Sequence, residues 1–178
     1  MAGAYNNWVV LVSFLVAVLA SYTALDLASR ITASTGAAAV SWLLGGAFAM
    51  GMGIWSMHFI GMLAFSLPIP MAYDVGITLV SMLIAIIVSG FALLTVTRKS
   101  MSGRRLAAGG VLMGIGICSM HYTGMAAMEV APAIRYDALL FGASVAIAIA
   151  AATAALWISF TLRSNTVRRV YARLGSAI

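Results

Sequence analysis

Nowhere between Arg30 and Asp74 does this chain carry a charged side chain. An interval that long and that apolar is not tolerated in water, but it can cross a hydrocarbon core of roughly 30 Å as a helix of about 20 residues. The same alternation of charge clusters and apolar runs continues to the end. It predicts five spans, at about 8–27, 40–66, 75–97, 106–128 and 138–162. Only 8% of the 178 residues are charged and 63% are hydrophobic, whereas an ordinary soluble domain has about 25% charge. A membrane β-barrel would need short alternating strands instead. The fold class expected is therefore all-α, a polytopic transmembrane bundle in contact with the lipid bilayer.

Charge placement predicts the topology. Pro68, Pro70 and Pro132 fall in one set of loops, while nine of the ten basic residues fall in the other, Arg135 being the exception. The positive-inside rule then puts the N-terminus and the proline loops outside, and Arg30, the 98–105 loop and the C-terminus in the cytoplasm. Residues 1–162 read as one membrane domain and 163–178 as a basic tail or linker. Although the net charge is +6, lipid headgroups explain basic residues at span ends better than nucleic acid does. The N-terminal run has no basic region before it and reads as a retained helix, not a removed signal peptide. A single cysteine, Cys118, excludes an internal disulfide and reads as a small packing residue.

The chain is also internally duplicated. A shift of 63 residues aligns Gly46 with Gly109, Met50-Gly51 with Met113-Gly114, Ser56-Met57-His58 with Ser119-Met120-His121, Gly61-Met62 with Gly124-Met125, and Tyr73-Asp74 with Tyr136-Asp137. Ser81 and Ile84-Ala85-Ile86 align in the same way with Ser144 and Ile147-Ala148-Ile149. A second shift, of 68, aligns Ala4-Tyr5 with Ala72-Tyr73, Ser13 with Ser81 and Arg30 with Arg98. Spans one, three and five are copies of one element, and two and four copies of its return. Two-helix repeats keep the copies parallel, so equivalent residues lie at equal depth.

His58 and His121 are the only histidines, and each falls late in its span. At helical spacing His58 shares a face with Met62 and His121 with Met125, while Met57 and Met120 lie about 100° round. Imidazole suits several transition metals and thioether favours Cu(I), so these six residues read as a copper site, shared between the repeats. At about 1.5 Å per residue, His58 lies about 13 Å inside Leu67 and His121 about 12 Å inside Glu129. A bis-histidine haem protein carrying electrons is the alternative. Glycines 51, 53, 61, 114, 116 and 124 would let the two motif helices approach one another. Tyr73, Asp74, Tyr136 and Asp137 fall at the outer interface, where they could also cover an entrance to the site. Asp26 and Arg30 suit an ion pair one turn apart. No nucleophile–base pair, paired catalytic carboxylates or phosphate loop stands out, so an enzyme is not expected.

At Met120-His121-Tyr122-Thr123, and through Gly53-Ile54-Trp55-Ser56-Met57-His58, Tyr73-Asp74 and the basic loops, the chain resembles the MHYT domain. The resemblance implies a sensor in the bacterial inner membrane whose repeated Met and His residues hold copper and sense oxygen, carbon monoxide or nitric oxide. It also implies a cytoplasmic output domain that makes or degrades cyclic di-GMP, such as a diguanylate cyclase or phosphodiesterase, or acts as a histidine kinase. A homo-oligomer is compatible with it. Tyr122 becomes an accessory site residue by the same resemblance. The first motif departs from it, with Phe59 and Ile60 where Tyr and Thr would stand. Family members usually carry three motifs, and this chain carries two.

Overall fold

The computed structural model describes residues 4–66, 71–98, 100–130 and 136–175, with the backbone alone beyond Leu162. Leu67, Pro68, Pro70, Lys99, Pro132, Arg135 and the tail arginine side chains, on which parts of the topology reading rest, lie outside that description. Five helices carry the fold: α1 (Asn7–Ala33), α2 (Gly36–Leu63), α3 (Val75–Val96), α4 (Gly103–Ala126) and α5 (Ala138–Gly175). Each is long and apolar enough to cross a membrane. The all-α polytopic bundle expected from the sequence is what forms.

Helix ends differ from the expected span ends for two reasons. A helix need not stop where hydrocarbon stops, so α1 runs past Arg30 to Ala33 and α5 past Leu162 to Gly175. At the other end α2 and α4 stop early, at Leu63 and Ala126 rather than 66 and 128. The following residues are drawn into short antiparallel strands, which the sequence reading did not foresee. β1 (Ala4–Tyr5) pairs with β2 (Phe65–Ser66), and β3 (Ala72–Tyr73) with β4 (Met128–Glu129). Two-residue strands carry too little alternation to be read from a sequence.

The duplication is reproduced in detail. Asn6 caps α1 by accepting from the Trp8 and Val9 N–H groups, and its own N–H donates to the Ala64 carbonyl at 2.9 Å. Asp74, 68 residues on, caps α3 through the Ile77 N–H, and its N–H donates to the Ala127 carbonyl at 2.8 Å. Asp137 caps α5 in its turn, accepting from Leu139 and Leu140. Each cap satisfies donors that a helix start leaves free.

Packing follows the same register. A Cβ on Gly51 would lie 2.5 Å from the Ile86 Cα, and one on Gly114 would lie 2.6 Å from the Ile149 Cα. Both residues of the second pair are 63 positions after those of the first. Gly53 meets Ala20 as Gly116 meets Val88, and Gly46 meets Leu27 and Leu93 as Gly109 meets Thr95 and Leu156. Thus α2 is gripped between α1 and α3, and α4 between α3 and α5, with α3 used on both sides. Of the six glycines expected to bring the motif helices together, only Gly124 does so, against His58 and Phe59, while Gly51, Gly53, Gly61, Gly114 and Gly116 pack against flanking helices. The buried core lies toward the basic end, around Leu27, Ala28, Ala92, Leu93, Val96, Met113, Ala152 and Leu156. At that end Arg30 bonds Asp26 at 2.7 Å, the expected ion pair, and its guanidinium lies 4.9 Å from the centre of the Trp42 ring.

Candidate metal centre

α2 and α4 touch little along their lengths, but they meet at the motif. His58 and His121 face each other there with ring centres 4.8 Å apart, edge to face. Each lies five residues before the end of its helix, about 8 Å from it at 1.5 Å per residue. That is shallower than the sequence implied, because both helices end early. The His58 Nε2 is buried and has no hydrogen-bond partner among the described residues. A Cβ on Gly124 would come within 3.4 Å of it, so the glycine leaves the room in which the ring sits. A buried polar atom without a partner is costly. The Thr78 and Ser89 hydroxyls share that state among the described residues, and the imidazole nitrogen is the one of the three suited to a transition metal.

The methionines divide. Met62 and Met125 are half-buried, while Met120 is 4% exposed and belongs to the interior. Met57 lines an apolar cavity of about 440 Å³ together with Met50 and Met113. That cavity lies toward the basic end, among Ala28, Leu93 and Leu156, and neither histidine borders it. Among the described residues, no three His, Cys, Asp or Glu side chains gather as a metal site. An ion at the histidine pair would therefore take two imidazoles and look to thioethers for the rest, a donor set suited to Cu(I).

Around the pair stands a shell of aromatic rings. Tyr122 packs edge-on to His121 at 4.9 Å and against Tyr136 at 5.4 Å and Phe141 at 4.7 Å. In the first repeat Phe59 lies 6.2 Å from His58, 5.5 Å from Tyr73 and 4.7 Å from Trp55. Tyr73 and Tyr136 are thus equivalent covers over the motif aromatics. Burial pushes the phenol pKa of Tyr73 up, and burial followed by Tyr122 does the same for Tyr136. Asp74 and Asp137, by contrast, have their carboxylates engaged as helix caps.

Three residues the sequence reading had only aligned turn out to bridge helices here. Ser13 donates to the Met57 carbonyl at 2.7 Å, Ser81 accepts from the Trp55 indole at 3.0 Å, and Ser144 pairs with the Tyr122 hydroxyl at 2.6 Å. The signal was the double alignment of 13, 81 and 144, but an isolated serine in a span more often bonds its own helix.

A twice-repeated pair of helices able to cross a membrane, meeting at two histidines, defines a polytopic membrane domain. Residues 51–109 and 114–172 each match the MHYT family, the N-terminal repeat of bacterial signalling proteins, and the chain belongs to that family. The two matches are offset by the period of the duplication. Over 178 residues the chain is 56% identical to the bifunctional diguanylate cyclase/cyclic di-GMP phosphodiesterase MucR of Pseudomonas aeruginosa, covering all of this chain and 26% of that protein. It is 43% identical over 152 residues to the cyclic di-GMP phosphodiesterase NbdA of the same organism, covering 85% of this chain and 19% of that protein. The signalling protein YkoW of Bacillus subtilis is 40% identical over 158 residues, covering 89% of this chain and 20% of its own length. The chain thus spans about a quarter or less of these curated relatives. No solved structure matches it.

Proposed function

We propose that this domain is the membrane-embedded sensory part of a larger bacterial signalling protein and holds copper between His58 and His121. The observation that carries the reading is the buried His58 Nε2, without a hydrogen-bond partner among the described residues, with a second imidazole 4.8 Å from its ring. Met62 and Met125 stand one turn from the histidines on the same helix faces, and Met57 and Met120 are the further thioethers of the motif. Copper bound there would supply a soft centre able to change valence and accept a diatomic ligand such as O2, CO or NO. His58 and His121 bind and hold the two helices in register, while the aromatic shell excludes water. In a bacterial inner membrane with its basic end in the cytoplasm, the domain would signal through α5 to an output domain. The names of two relatives support one that makes or degrades cyclic di-GMP.

Haem held by His58 and His121 would need room for its macrocycle between the two imidazoles. With metal–nitrogen bonds of about 2 Å, ring centres would then stand about 6 Å apart. A closer, edge-to-face pair supports a bare ion instead, and a Soret band in purified protein would reverse that preference. Copper stoichiometry of His58→Ala and His121→Ala tests the centre. A shared site predicts that each single change removes most of the metal, separate sites that each removes about half. Full occupancy in both variants would end the metal reading.

A further inference from the structure

Ser81 and Ser144 occupy equivalent positions on α3 and α5, and each has only one proton to donate. Ser81 donates it to the Thr78 carbonyl at 2.7 Å, and Ser144 to the Phe141 carbonyl at 2.8 Å, again 63 residues apart. Each serine oxygen is left as an acceptor facing the preceding motif helix. In the second repeat the donor must therefore be the Tyr122 hydroxyl, 2.6 Å away. In the first repeat the tyrosine position is Phe59, which has no donor. Trp55, one helical turn earlier, supplies an indole N–H to Ser81 in its place. The two donors differ in residue type and in register, yet they reach the same acceptor on the same kind of helix.

We propose that Tyr122 and Trp55 are positioning residues. Each latches its motif helix to the serine of the next helix, fixing the rotation of α4 and α2 and hence the edge-to-face approach of His121 and His58. The Tyr122 hydroxyl is then a donor to Ser144 rather than a metal ligand, and the departure of the first motif from the second is a compensated exchange. The assignment holds whether or not copper is the ion bound. A rotational lock has mechanical sense here, because α2 and α4 have little mutual contact to set their facing, and each latch is made to a neighbour they grip along its length.

The apo protein in detergent tests this. Trp55→Phe should lower the thermal midpoint by about 2–4 °C, the scale of one interhelical hydrogen bond in a chain this size. Adding Phe59→Tyr to that variant should restore at least half of the loss, by returning a donor to the register that Tyr122 uses. Ser144→Thr should keep the midpoint and Ser144→Val lose it at nearly equal volume, with Tyr122→Phe adding nothing to Ser144→Val. Carbethoxylation of His58 and His121, read by mass spectrometry, should quicken several-fold in Ser144→Val and Tyr122→Phe. It should not quicken in Gly109→Ala, a destabilising control at the other end of α4. The proposal is overturned if Phe59→Tyr restores nothing, if Thr and Val at 144 behave alike, or if histidine labelling follows stability alone. A copper spectrum altered by Tyr122→Phe but not by Ser144→Val would overturn it too, by making the phenol a ligand.

Discussion

Tyr73 and Tyr136 tie the motif to the pH of the medium on the strand-bearing side. Both phenols titrate above their ordinary value of about 10. A raised folded-state pKa means the neutral form is favoured by folding, so the stabilisation is fully present below about pH 10 and lost as pH rises through the folded values. The thermal midpoint should therefore decline above about pH 10, and Tyr73→Phe with Tyr136→Phe should flatten that decline. An unchanged slope in the double variant would mean other groups control it. At this scale the sequence was half legible. Duplication marked both histidines and their covering tyrosines, because equivalent residues in parallel repeats must share a depth. It could not tell which way Met57 turns, since a helix face has no direction until its neighbour is known. Trp55 escaped because its partner is 26 residues away and its donor stands one turn off the repeat register.

Glycine contacts set how closely the elements pack, and they can be tested one by one. Gly51→Ala and Gly114→Ala put a methyl against backbone atoms of α3 and α5, where no side-chain rotation relieves it. Each should cost about 1–3 kcal/mol, the usual range for overpacking. Gly142 faces open space, so Gly142→Ala should be neutral or stabilising by up to about 1 kcal/mol, since alanine is the better helix former. Denaturation in detergent compares the three, and equal losses would mean that helix propensity rather than contact decides. The cap Asp74→Ala should cost about 1 kcal/mol by freeing the Ile77 N–H. Five helices could be read from apolar length alone, and the glycine spacing was visible as a packing signal. Which neighbour each glycine serves was not, because close approach is a property of two helices and the sequence displays one.

For the whole molecule, the topology expected from charge can be measured directly. With Cys118 replaced, a cysteine at Ser102 should resist a membrane-impermeant thiol reagent applied to intact cells and react once the membrane is opened. Labelling in intact cells would invert the orientation. Strand pairs tie the opposite ends of the helices together: β1 with β2 and β3 with β4, reinforced by the Asn6–Ala64 and Asp74–Ala127 bonds. A motif helix tilting about that tied end would act as a lever on the core at the basic end. The histidine pair sits about 8 Å from that end, while α4, which carries His121, reaches about 36 Å from it at 1.5 Å per residue over its 24 residues. A displacement of about 0.7 Å at the histidines, a tilt of about 5°, becomes one of about 3 Å at the far end of that helix. With a lever ratio between about four and five, a change of under about 1 Å at the short arm becomes a shift larger than the helix Cα radius of about 2.3 Å at the long one.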